Sequence, residues 1–195
     1  KGFGGIASGP EPLKEMHQRV DDFFYQYMMH DDYDSVRLKM DIVNSIGVCV
    51  VAGNVRRSAE LAAAPIDDPT FINLKNYEQY PARKAIGWMS NNSVYLEKDE
   101  DFARLGEIAE RVVRNGEPGY INLRNLPKGR IGKNDPVRPD KAIGFNPCGE
   151  QPLENKELCT LVETLPTRCQ DTPTWIKACE YATVYASTVT LLPTH

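Results

Sequence analysis

An amide, a thiol and a carboxylate stand at alternate positions in the run Asn146-Pro147-Cys148-Gly149-Glu150, and a further thiol, Cys159, follows a short way on. Side chains on an extended segment alternate with period two, so Asn146, Cys148 and Glu150 can face one ligand together. Pro147 stiffens the backbone and removes a donor, while Gly149 permits close approach or unusual dihedrals. Such a segment suits a rigid loop tip better than a helix. A carboxylate there can act as a general base, and an amide can hold hydroxyl groups or a developing carbonyl oxygen. Ordinary thiolate catalysis is a competing reading, but it calls for an activating histidine, and none lies nearby in the sequence. A neighbouring carboxylate would raise the thiol pKa, which also weighs against it. The bland alternative is a compact buried cysteine beside a surface glutamate.

Two other polar runs are suited to binding. Gly2, Gly4, Gly5 and Gly9, with Ser8 among them, can offer backbone donors to a phosphate, although the run is neither a P-loop nor a dinucleotide fingerprint. The segment Gly53-Asn54-Val55-Arg56-Arg57-Ser58 places two guanidinium groups, which are multidentate donors to a base edge or phosphate, just after a glycine. A solvated charged turn is its plain alternative. Ser90, Asn91, Asn92 and Ser93 supply four hydrogen-bonding side chains at a strand's beginning, suited to a pocket wall or to a polar turn.

The elements that must carry these groups read as α/β. Leu13, Met16, Val20, Phe23, Phe24 and Tyr27 recur at helical spacing, predicting a helix over about residues 12–29. Leu38, Ile42, Val43, Ile46 and Val50 predict a second one ending near Gly53, with Cys49 packed in it. Residues 54–63 read as a turn entering a strand, with a break at Ala64-Pro65. A short helix is expected near residues 70–76. Strands are predicted at 93–96 and 119–123. Between them Phe102, Leu105, Ile108, Ala109, Val112 and Val113 form one helix face that stops at Asn115-Gly116. Strand, helix, strand in this order implies a parallel crossover. Residues 124–145 lack an apolar period and read as a long connection into the cysteine run. A last helix is expected over about 174–191, burying Trp175, Ala178, Ala182, Tyr185 and Val189.

Composition narrows the function further. The 195 residues suffice for a domain-sized core, and a net charge of −4 provides no basic field for polymeric nucleic acid. No stretch approaches the roughly 20 apolar residues of a membrane span, and no signal-peptide layout opens the chain. Five cysteines without a C-x-x-C pair and three scattered histidines argue against a disulfide framework or a zinc site and fit a reducing, cytoplasmic setting. Lys1 is not an initiator methionine, and His195 follows a helical run without a stop signal, so an internal piece of a longer polypeptide is expected.

Five motifs in order carry a family likeness: KGFGGIASGPEPL (residues 1–13), IGVCVVAGNVRRSAELA (46–62), SNNSV (90–94), NGEPGYINL (115–123) and NPCGEQPL (146–153) with Cys159. The chain resembles the adenosylcobalamin-dependent (class II) ribonucleotide reductases, most closely the ribonucleoside-triphosphate reductases, nearly end to end. The resemblance implies a fragment of the catalytic ten-stranded α/β barrel, its first half and finger loop, over residues 1–195. It assigns Cys148 the thiyl radical that takes a hydrogen atom from the ribose. Glu150 then fits the base on the 3′ hydroxyl and Asn146 a holder of the sugar hydroxyls, with Gly149 beside the substrate. It makes Cys159 one member of a redox disulfide whose partner lies outside the chain, and it gives Cys49, Cys169 and Cys179 no redox role.

By the same likeness Ser90, Asn91, Asn92 and Ser93 line the substrate pocket. Lys1, Gly4, Gly5 and Ser8 fall in a first specificity loop near a deoxynucleoside triphosphate effector. Gly53, Asn54, Arg56, Arg57 and Ser58 fall in a second loop, between effector and substrate. Adenosylcobalamin is the implied cofactor, a ribonucleoside triphosphate the substrate and thioredoxin or a similar dithiol the reductant. No metal ligands are expected from this chain. Another class of the same reductase is the nearest rival within enzymes. A noncatalytic nucleotide-binding or regulatory piece is the alternative from outside, and the isolated fragment is expected to be inactive.

Overall fold

The computed structural model describes residues 7–54, 58–128, 140–142 and 144–191. Two compact units divide the chain, Lys1–Pro152 and Leu153–His195. In the first, helices α1 (Glu11–Met29) and α2 (Ser35–Val51) pack on each other. Proline in the first turn starts α1 without loss, since that N–H has no helical partner. Asp34 caps α2, its Oδ1 accepting from the backbone N–H of Val36 and Arg37, both at 2.9 Å. Gly53, at φ 78°, lets the chain leave α2 through a left-handed turn that side chains with a Cβ disfavour.

Three parallel strands follow, β1 (Glu60–Pro65), β2 (Ser90–Leu96) and β3 (Gly119–Asn122), in the order β1-β2-β3. Glu60 pairs with Ser90 and Ala63 with Ser93, while Ser93 pairs in turn with Gly119. The α/β reading with a parallel crossover is therefore borne out. β1 runs on through Pro65, past the break expected at Ala64; as the first strand of the order it has β2 on one side only, and an edge strand tolerates proline's missing donor. β2 begins at Ser90 rather than 93.

The single helix expected between β2 and β3 is two, α3 (Asp99–Ala103) and α4 (Leu105–Asn115), meeting at Arg104. Gly116, at φ 79°, ends α4 where the sequence placed its stop. Residues 71–89 supply 3-10 turns at Phe71–Asn73, Pro81–Ala85 and Gly87–Met89. Met40, Ile66, Phe71, Ile72, Leu74, Val94, Leu96 and Ile108 form the core of this unit, joining α2, β2, α4 and the 71–74 turn. Two minimal strands, β4 (Gly144–Phe145) and β5 (Pro152–Leu153), flank the cysteine run.

In the second unit α5 (Thr172–Val189) is capped by Asp171, whose carboxylate accepts the Thr174 N–H at 2.8 Å. None of its described residues is buried, and Tyr185 is 65% exposed, so the expected buried face is corrected. Among the described residues of its unit, irregular chain and a 3-10 turn (Pro166–Arg168) accompany the helix, and they give its apolar stripe no second layer to pack against.

Candidate functional site

Asn146 shapes the cysteine run into a turn. Its carbonyl accepts the Gly149 N–H at 2.9 Å, closing a four-residue turn with Pro147 and Cys148 at the centre. Its backbone N–H donates to the Gln151 carbonyl at 3.1 Å, and its side-chain Oδ1 accepts the Gln151 N–H at 2.9 Å. Its Nδ2 donates to Glu150 Oε1 at 2.6 Å. Gly149 sits at φ 82°, a conformation a Cβ would strain. Asn146 itself is buried, while Cys148 and Glu150 are exposed at the turn. The loop tip read from proline and glycine is found. The alternation of an extended strand is not how the groups meet: a tight turn with a left-handed glycine brings the amide and carboxylate together.

The polar run of β2 splits by pleat. Ser90 and Asn92 lie on the buried face with Val94 and Leu96, and the Ser90 hydroxyl donates to Asn92 Oδ1 at 2.8 Å. Asn91 is exposed on the opposite face, and its Nδ2 donates to the Pro147 carbonyl at 2.8 Å. Ser93, on that same face, is half-buried and crowded by Gly119, where a Cβ would stand 2.9 Å from its hydroxyl. The fold thus brings the serine-asparagine run and the cysteine turn together across a long stretch of chain.

Sequence reasoning missed the groups behind β2. Lys75, nearly buried, donates to the Ser90 carbonyl at 2.6 Å and lies 3.2 Å from Glu117 Oε2, which also accepts the Asn92 N–H at 3.0 Å. Glu117 belongs to the NGEPGYINL motif, one of the five that carry the family likeness, but the likeness assigns its carboxylate no role. Lys75 gave no signal at all, since only its burial against the strand makes it unusual.

A buried ionic cluster underlies α2. Asp41 pairs with Arg83, accepts the Tyr33 hydroxyl at 2.6 Å and lies near Arg37. Arg83 further donates to the Leu74 carbonyl at 2.9 Å and to Asn44 Oδ1 at 3.1 Å. Burial pulls Arg83 down to about 10, with the Arg37 charge adding to it and Tyr33 opposing; it stays a cation at neutral pH. Burial also pushes the Tyr33 phenol up to about 12 against the pull of Arg37 and Arg83. The Asn44 amide passes on to Glu60 Oε2 at 2.8 Å; burial raises that carboxyl above its ordinary value, and the Asn44 bond lowers it in part. Arg19, Phe23, Tyr33, Arg37 and Ile86 line a cavity of about 440 Å³ beside this cluster.

Of the residues suggested for the two glycine- and arginine-bearing loops, Ser8 is exposed, Ser58 is half-buried, and Gly53 and Asn54 form the 3-10 turn that ends α2. Lys1, Gly4, Gly5, Arg56 and Arg57 lie outside the described residues. Cys159 is exposed in the second unit, and Cys49, Cys169 and Cys179 are half-buried. Among the described residues no group of three or more His, Cys, Asp or Glu side chains is placed to hold a metal ion. None of the described helices is long and apolar enough to cross a membrane.

The chain is 42% identical over 196 residues to an adenosylcobalamin-dependent ribonucleoside-triphosphate reductase of Euglena gracilis, a match covering 100% of this chain and 26% of that protein. A probable enzyme of the same name from Dictyostelium discoideum is 40% identical over 195 residues, covering 98% of this chain and 25% of its own length. One from Lactobacillus leichmannii is 42% identical over 172 residues, covering 85% of this chain and 22% of that protein. No family model matches, and no solved structure matches significantly.

An α/β segment with a cysteine turn at its edge is here related in sequence to ribonucleotide reductases. The relatives from Euglena gracilis and Dictyostelium discoideum, matched over 100% and 98% of this chain, are named adenosylcobalamin-dependent ribonucleoside-triphosphate reductases, the second as a probable one. The chain spans about a quarter of the length of the curated relatives it matches.

Proposed function

We propose that this chain is part of the catalytic α/β barrel of an adenosylcobalamin-dependent reductase that converts ribonucleoside triphosphates to 2′-deoxyribonucleotides, and that Cys148 is its radical thiol. The observation that carries the reading is the exposed Cys148 at the apex of a turn whose flanks, Asn146 and Glu150, are hydrogen-bonded to each other. Hydroxide is a poor leaving group on an unactivated carbon, whereas a radical at the neighbouring 3′ carbon makes its departure easy. A cysteine thiyl can remove the 3′ hydrogen reversibly, because its S–H bond and the activated ribose C–H bond are similar in strength.

Glu150 accepts the proton of the 3′ hydroxyl, and Asn146, fixed by the turn, orients that carboxylate beside the sugar. The 2′ hydroxyl then leaves as water. Two thiols give up their hydrogens and become a disulfide, so one ribonucleotide and one dithiol yield one deoxyribonucleotide, one disulfide and one water. Cys159 is one of the two, and a thioredoxin-type dithiol restores the pair. When bound, adenosylcobalamin would supply the odd electron that makes Cys148 a thiyl. A thiol presented at an exposed turn fits that requirement, because the cofactor must reach it from outside the segment, and Cys148 is the residue of this chain that would face it.

Residues 1–10 and 53–59 serve as specificity loops for a deoxynucleoside triphosphate effector, and the enzyme works in the cytoplasm. The test is to incubate the full-length polypeptide with adenosylcobalamin, a ribonucleoside triphosphate and a dithiol. Deoxy product is expected from the native protein and none from Cys148→Ser, while effector affinity stays nearly intact. Appreciable reduction by the variant would remove Cys148 from its radical role.

A further inference from the structure

We infer that Asn91 is a positioning residue for the cysteine turn, holding the peptide that bears Cys148, with the buried Lys75 and the half-buried Glu117 fixing the strand that presents it. This deepens the proposed function, since it rests on Cys148 as the reacting thiol, and it gives Asn91 a different task from lining a substrate pocket. The Asn91 Nδ2 donates at 2.8 Å to the carbonyl of Pro147, the peptide whose nitrogen belongs to Cys148. Asn146 ties the turn to its own ends, through Gly149, Glu150 and Gln151. The Asn91 bond ties it to the parallel sheet. Without such a tie a turn can keep its internal shape and still swing as a body, carrying the thiol with it.

The backbone on either side of Asn91 is fixed from the opposite face. Lys75 holds the Ser90 carbonyl at 2.6 Å, and Glu117 holds the Asn92 N–H at 3.0 Å. Lys75 and Glu117, 3.2 Å apart, balance each other's charge in a site where Lys75 is only 8% exposed. The Ser90 and Asn92 side chains are bonded to each other, which locks the pleat and directs Asn91 outward. Hydrogen-atom transfer depends steeply on the separation and alignment of the reacting atoms, so a thiol displaced by an ångström loses rate while binding of the nucleotide is untouched.

The test uses the full-length polypeptide with Asn91→Asp, which keeps the shape but removes the donor, and Asn91→Ala. Both are expected to lower kcat about tenfold or more while KM stays within about twofold. Amide hydrogen exchange should speed up across residues 144–151 and stay unchanged in β2. A raised KM with kcat retained would make Asn91 a substrate contact and overturn the inference, as would unchanged exchange in the turn. Should the native protein reduce no ribonucleotide at all, the proposed function fails, and exchange alone still decides whether Asn91 holds the turn.

Discussion

Asp41 and Arg83 are both almost fully buried, and each is surrounded by partners rather than by solvent: Tyr33 and Arg37 on one side, Asn44 and the Leu74 carbonyl on the other. Removing one partner of such a pair strands the other charge out of water. Arg83→Met is therefore expected to cost about 3–5 kcal/mol, measured by urea denaturation against the native chain. Glu60 offers a different test. Its carboxyl is held above the ordinary value of 4.5, first by burial and with the Asn44 bond opposing. A raised folded-state value means that the folded chain binds this proton more tightly than the unfolded one. The stability it contributes is present below the ordinary glutamate range and is lost as pH rises through the raised value. Glu60→Gln cannot titrate, so its melting temperature relative to the native chain should become more favourable between pH 4 and 7. A difference that does not change with pH would contradict this.

At the scale of elements, α2 is the pivot. It ends at the turn formed by Gly53 and Asn54, and Glu60 opens the strand just beyond, bonded back to Asn44 in the middle of the helix. Gly47 permits that arrangement. A Cβ there would run into Glu60 Oε1 and Met89 Cγ, so the helix approaches the start of β1 at a glycine. On an open helix Gly→Ala usually stabilises by up to about 1 kcal/mol. Here the sign should reverse: Gly47→Ala is expected to destabilise by about 1–3 kcal/mol through overpacking, read from thermal or urea melts. A gain would show that Glu60 and Met89 swing aside freely. The same closeness fixes Gly53, at the end of α2, and Glu60, through its bond to Asn44.

At the scale of the whole protein, the proposed reductase needs two nucleotide-responsive loops to report to one cysteine turn. β1 and β2 pair at their first residues, Glu60 with Ser90, so the chain leaving residues 53–59 enters the sheet beside the strand whose Asn91 holds the turn. Coupling between effector and substrate choice requires contacts that differ between two states, and guanidinium groups in that loop are suited to make them. Arg57→Ala in the full-length polypeptide is expected to blur the effector-dependent preference among the four ribonucleotides, with deoxy product from mixed substrates as the measurement. An unaltered preference pattern would dismiss the signalling role of the loop.

Much of the fold was legible because local patterns encode it. Helical spacing marked α1 and α2, the Asn115-Gly116 stop ended α4, and strand, helix and strand in order required a parallel sheet. Misjudgements fell where neighbours decide. The continuation of β1 through Pro65 depends on its edge position, and the exposed stripe of α5 depends on what its unit offers to cover it. Residue order by itself determined the chemistry available, an amide, thiol and carboxylate about a proline and a glycine, and the kinship those motifs carry. Only the tertiary structure decided that Asn91 meets the turn, that Ser90 and Asn92 turn away from it, and that Lys75 and Glu117 stand behind them. Chemical type is a property of each residue, whereas proximity between residues 91 and 147 exists only once a sheet has been assembled from strands distant along the chain.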